Sequence, residues 1–187
     1  SSASFTGTDC WGNALNTLTS ATILYGSNIK FSATVATGYT WSKWSNGNTT
    51  QTNYNITTSL TSDISLTASA TINKYTVTLG SGYGSWDNSA SISVDYGTSI
   101  SVSSNKVTVG STTRTFTKSS NTTQYTYTFN SLSGVPSGGK VDGNITITPN
   151  VTRTVNQYTV TLASGYGSWD TATAITVEVS VSVIGSV

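Results

Sequence analysis

YTVTLGSGYGSWD occupies Tyr75 to Asp87, and YTVTLASGYGSWD occupies Tyr158 to Asp170. Twelve of the thirteen positions agree, and only Gly80 and Ala163 differ. Within the first five residues Tyr75, Val77 and Leu79 alternate with Thr76 and Thr78. A period of two in aromatic and β-branched residues predicts a strand with one face in a core and one hydroxyl-bearing face in water. The glycines that follow predict a turn. A whole phrase recurring 83 residues later points to a chain assembled from copies of one unit.

Shorter matches keep the same order. DYGTSISVS from Asp95 resembles LYGSNIKFS from Leu24, and NITITPNVT from Asn144 resembles DISLTASAT from Asp63. TFNSLSG from Thr128 resembles TWSKWSN from Thr40, with Leu132 in the place of Trp44. These matches predict the later part of one repeat at 1–73, a complete repeat at 74–156, and the opening strands of a third at 157–187.

Alternation continues almost everywhere. Ile92, Val94 and Tyr96 carry it, as do Tyr125, Tyr127 and Phe129. So do the runs Ile64, Leu66, Ala68, Ala70, Ile72; Ile145, Ile147, Pro149, Val151; and Ile175, Val177, Val179, Val181, Val183. Helix signals are nearly absent. The expected fold is all-β, or β-grasp-like: tandem small antiparallel β modules with little or no helix. Val77, Leu79, Ile92, Val94, Ile145 and Ile147 are the expected core of the middle repeat. Trp41 and Trp44 stand three apart, so a regular strand cannot turn both to one side; either a turn intervenes or one lies on the surface.

The order of these pieces resembles the Listeria–Bacteroides repeat, also called the internalin B-repeat. That pattern has a first strand like YTVTF, a V-x-Y-G element, GYTF-x-x-W, and a strand like D-x-T-L-x-A. Here Tyr25-Gly26, GYTWSKW from Gly38 to Trp44, and DISLTASA from Asp63 match it, and VDYG from Val94 to Gly97 matches it again. The middle repeat departs from it in QYTYTFNSLSG and in the extra segment NKVTVGSTTRTFTKSSNTT. The resemblance implies a small β module strung in tandem in a bacterial surface protein, extracellular, with a stalk, spacing or adhesive role and no catalysis.

Composition points the same way. Charged residues make up 8% of the chain and the net charge is +1, so the basic stripe that nucleic-acid binding leaves is missing. Solubility rests on Ser and Thr hydroxyls instead. No apolar run is long enough to insert in a membrane. The sequence opens SSASFTG without Met, as expected of a processed chain or an excised fragment. The single Cys10 is expected to be a free thiol before an intermolecular link.

The inventory for catalysis is thin. With no His, Ser-His-Asp, Cys-His and His-based metal sites are excluded. No catalytic residue, metal site or cofactor is expected. Asp87 and Asp170 hold matching positions, one per repeat, and are expected to accept backbone N–H groups at turns. Tyr83 with Trp86, and Tyr166 with Trp169, form a candidate platform for sugar rings; packing over a small core is the competing and favoured role for them. A Lys–Asn cross-link at Lys74 is disfavoured, because Gln157 stands at the matching place.

The repeat boundaries suggest a partner. The first module has no YTVTL strand and the last segment supplies one. Residues 157–187 of one subunit are expected to complete the module at 1–73 of the next, head to tail, as a donor strand in a filament or pilus-like fibre. Adjacent modules of a longer chain are the rival partner. A surface polysaccharide or host protein is a further possible partner, through the aromatic turns.

Overall fold

The structure is a computed structural model that describes residues 2–55, 60–161 and 175–178, the last stretch as backbone. It is all-β, with no helix among the described residues. Two compact units emerge: unit one comprises residues 1–75 with 95–97, and unit two residues 76–94 and those from 98 onward.

Unit two holds two four-stranded sheets. One has the order β13 (Tyr125–Ser133), β14 (Ile145–Val155), β7 (Lys74–Leu79), β9 (Ile92–Asp95). The other runs β10 (Ile100–Ser103), β11 (Lys106–Val109), β12 (Thr112–Lys118), β8 (Gly84–Trp86). Val77, Leu79, Ile92 and Ile147 are buried as their spacing predicts, while Val94 and Ile145 are only half-buried. The extra segment of the middle repeat, 105–123, supplies β11 and β12. It contributes Val107, Val109 and Phe116, all at most 1% exposed, so the insertion is core rather than surface decoration. Phe116 meets Phe129 of β13 at 6.1 Å between ring centres, which joins the two sheets through side chains.

The expected antiparallel sheets are present, and a parallel pair stands among them. β14 and β7 run parallel, with Ile145 opposite Val77, Thr146 opposite Thr78 and Ile147 opposite Leu79. Alternation fixes which face a strand buries but not the direction of its partner. Here the first and last strands of the 74–156 repeat are neighbours, so the intervening chain serves as the long crossover that a parallel pair requires.

Unit one holds the sheet β2 (Ala14–Leu18), β1 (Ser2–Thr8), β3 (Asn28–Thr34), β5 (Tyr54–Asn55), and the pair β4 (Tyr39–Trp44) with β6 (Ala68–Ile72). Ile29, Phe31, Ala33 and Trp44 form its core. Both tryptophans of β4 join that core, contrary to the sequence expectation. A β-bulge between Trp41 and Lys43 advances the strand by one residue, so Trp41 and Trp44 come to one side with ring centres 5.3 Å apart. β13 has its bulge between Phe129 and Ser131, the positions that match Trp41 and Lys43, and Leu132 is buried where Trp44 is.

Two local features follow from backbone geometry. Gly38 has φ +85°, and a Cβ there would run into the ring of Tyr96. Gly84, the second glycine of GYGSWD, passes so close to Thr117 and Phe116 that a side chain would collide with both. The long run expected from Ile64 to Ile72 is a strand only from Ala68. Ile64 and Leu66 are half-buried against the core, and no strand pairs with them among the described residues.

Candidate functional site

The turn aromatics separate. Trp86 turns inward: its indole N–H donates to the Gly80 carbonyl at 2.9 Å and its ring meets Phe116 edge-on at 5.3 Å. Tyr83 stays 43% exposed and lies 5.5 Å from Tyr127 between ring centres. The Arg153 guanidinium sits 4.9 Å from the centre of Tyr83 and 4.5 Å from that of Tyr125. Tyr83 and Trp86 therefore do not make one platform. Tyr83 belongs to a surface group with Tyr125, Tyr127 and Arg153, three residues that sequence spacing alone did not bring to it. Their signal was cross-strand: Tyr127 pairs with Arg153 in the β13–β14 ladder. Tyr166, Trp169 and Asp170 lie outside the described residues.

The acids act as turn organisers. Asp87 accepts the Asn88 amide at 2.8 Å. Asp9 accepts the backbone N–H groups of Trp11 and Asn13 and the side-chain amide of Asn13, at 2.8–2.9 Å. The Asn13 side chain, followed by the amides of Asn13, Trp11 and Gly12, holds the Asp9 carboxyl below its ordinary value. Cys10 is exposed and unpaired within the chain. Lys74 places its ammonium 2.6 Å from Asp95 Oδ1, the lysine largely in water and the aspartate partly so, and its partner is a carboxylate and not an Asn beside a buried acid. Among the described residues no group of three or more His, Cys, Asp or Glu gathers, and no helix is long and apolar enough to cross a membrane.

The second candidate is a groove of about 350 Å³ in unit one. Phe5, Ile29 and Phe31 contribute to its lining, with residues 19–23 and 63–66 also bordering it. The sequence matches give each of these last two segments a counterpart in unit two. Residues 21–24 match β9, and 63–66 match 144–147 at the start of β14. One hydrogen bond supports that correspondence: Leu60 N donates to Ser27 O at 2.9 Å, and at matching positions Val141 N donates to Thr98 O at 2.9 Å. In unit two β7 lies between β14 and β9. In unit one the corresponding segments border the groove.

β15 (Gln157–Val160) has the same YTV sequence as β7. It pairs antiparallel with β16 (Ile175–Glu178), Gln157 opposite Glu178 and Val160 opposite Ile175. Val77 in β7 is fully buried, whereas Val160 in β15 is 46% exposed and Tyr158 48%. No family model, curated protein or solved structure matches this chain.

Proposed function

We propose that the chain is a structural β module of an extracellular bacterial surface protein, part of a stalk or a pilus-like filament, whose copies join head to tail by strand donation. Its two units are tandem copies of one module, and its work is spacing and adhesion. The observation that carries this reading is the double use of one strand sequence. As β7 the strand is enclosed by two neighbours; as β15 it exposes its apolar residues, and unit one holds a groove bordered by the segments that match those neighbours. An exposed apolar strand is an aggregation liability unless something covers it. Adding a strand beside unpaired backbone is a general way to cover both surfaces. Groove and strand are different surfaces, so the contact is heterologous and propagates without closing. The hydroxyl-rich, nearly uncharged composition suits such a fibre.

Removing residues 158–187 tests the reading. By size exclusion and electron microscopy, the full chain should form concentration-dependent multimers or fibres and the shortened chain should stay monomeric. Added peptide 158–187 should bind the shortened chain. Folded monomers from both chains would refute strand donation.

Carbohydrate binding is the second reading, and the face made by Tyr83, Tyr125, Tyr127 and Arg153 favours it. The exposed Tyr83, the half-buried Tyr125 and Tyr127, and a cation offer stacking and hydrogen bonding to a sugar ring. Titration with polysaccharides should then quench aromatic fluorescence, and Tyr83→Ala with Tyr127→Ala should abolish the response. A flat titration of the parent chain would dismiss this reading.

A further inference from the structure

We infer that the groove of unit one takes β15 of a second copy in a defined parallel register, with Val160 opposite Ile64 and Thr161 opposite Ser65, and with Asp63 receiving the Thr159 amide. The inference rests on the strand-donation reading and adds orientation, register and an anchoring group to it. Three observations fix those details.

The first is the template within the chain. Val77 stands opposite Ile145 and Thr78 opposite Thr146, in parallel. Val160 and Thr161 are the counterparts of Val77 and Thr78, and Ile64 and Ser65 those of Ile145 and Thr146. The second is the edge of β15 that has no strand beside it among the described residues. β16 corresponds to β9 and covers one side of β15, as β9 neighbours β7. The other side of β15 is the one on which β7 meets β14. Docking on residues 63–66 therefore reproduces the strand order of unit two without breaking the β15–β16 pair.

The third is polar. Asn144 Oδ1 accepts the backbone N–H of Thr76 at 2.8 Å, at the mouth of the parallel pair. The matching residue in unit one is Asp63, which lines the groove. The matching donor in the strand is Thr159 N–H. A carboxylate in place of the amide makes this bond charge-assisted and stronger. At the strand start the Lys74–Asp95 ion pair corresponds to Gln157 facing Leu24, so the donated strand brings no cation that needs a counter-charge there.

Cysteine cross-linking of the full chain tests this. Cα atoms of residues paired across strands lie about 5 Å apart, within disulfide reach. The variant Cys10→Ser/Ser65→Cys/Thr161→Cys should give a ladder of disulfide-linked multimers on mild oxidation. Moving one cysteine two residues, in Cys10→Ser/Ser65→Cys/Thr159→Cys, should lower the yield at least tenfold. Both variants change exposed hydroxyl positions and should melt like the parent when reduced. Asp63→Ala should weaken assembly on the order of tenfold, and Asp63→Asn should keep most of it, because Asn144 performs the same task. Multimers that link equally well in the shifted register, or only within one chain, would overturn the register while leaving strand donation standing. Monomers throughout, seen by size exclusion before oxidation, would overturn both. Equal assembly of the parent, Asp63→Ala and Asp63→Asn chains would remove Asp63 from its anchoring role.

Discussion

Residues 144–147 and 63–66 match in sequence and alternate in the same way, yet they lead different lives. Ile145 and Ile147 pair with β7, and Ile147 is fully buried. Ile64 and Leu66 rest half-buried against their core and border a groove. Further along, the segments converge again. β6 and β14 meet their antiparallel partners with the same bulge, and Trp44 and Leu132 fill the same place. The difference lies wholly in the neighbour, since a strand's pairing belongs to two segments and its alternation to one.

The largest effect should come from the shared position. Trp44 is fully enclosed, donates its indole N–H to Thr50 O at 2.8 Å, and meets Phe31 and Trp41 edge-on. Trp44→Ala should destabilise unit one by about 3–5 kcal/mol in urea melts. A cost near that of a surface substitution would break the claim that the bulge builds the core.

The next effect sharpens the contrast itself. Ile147→Ala should cost about 2–5 kcal/mol, while Leu66→Ala, at the matching but half-covered site, should cost about half as much in dilute monomer. Thr146→Ala, on the exposed face of β14, should cost far less than either. Equal costs at Ile147 and Leu66 would mean that the groove is filled in the monomer.

Gly38→Ala comes third. With φ +85° and the Tyr96 ring in the way, the added methyl should cost about 1–3 kcal/mol, felt where the GYTW turn meets Tyr96. Unit two carries QYTY in place of GYTW and should tolerate Gln124→Ala with little change.

Acid should give the smallest response. The folded pKa of Asp9 is depressed, so its contribution is present above the ordinary carboxylate range and fades as pH falls through the lowered value. The Asp9 carboxylate bonds to Trp11 and Asn13 of its own turn, so the loosening should stay local to the β1–β2 turn. Amide exchange at Trp11 should quicken as pH falls through the lowered value while the β13–β14 amides hold; Asn13→Ala should move that onset upward. An onset unmoved by Asn13→Ala would discard the side-chain bond as the main cause.

The sequence carried the all-β class, the faces of β7 and β14, and the matching segments, because alternation and self-similarity are local signals. Val77, Leu79 and Ile147 lie where spacing put them. What it did not carry is relational. The parallel β7–β14 pair depends on which distant segment arrives alongside. Trp41 and Trp44 share a side only because of a one-residue bulge that no residue type marks. Trp86 and Tyr83, three residues apart in one turn, diverge because Gly80 O captures the indole N–H while Tyr127 and Arg153 gather the phenol. The groove was legible only as a missing strand; its position, and Asp63 at its edge, required the register of unit two.

Strand donation requires that residues 63–66 acquire the partner that 144–147 already have. Hydrogen exchange of both segments, followed in one sample series of rising chain concentration, measures this directly. The prediction is that amides of 144–147 stay protected at every concentration, while those of 63–66 exchange freely when dilute and gain protection, on the order of tenfold or more, as multimers form. Protection of 63–66 that is unchanged by concentration, in samples where multimers do appear, would contradict strand donation into this groove.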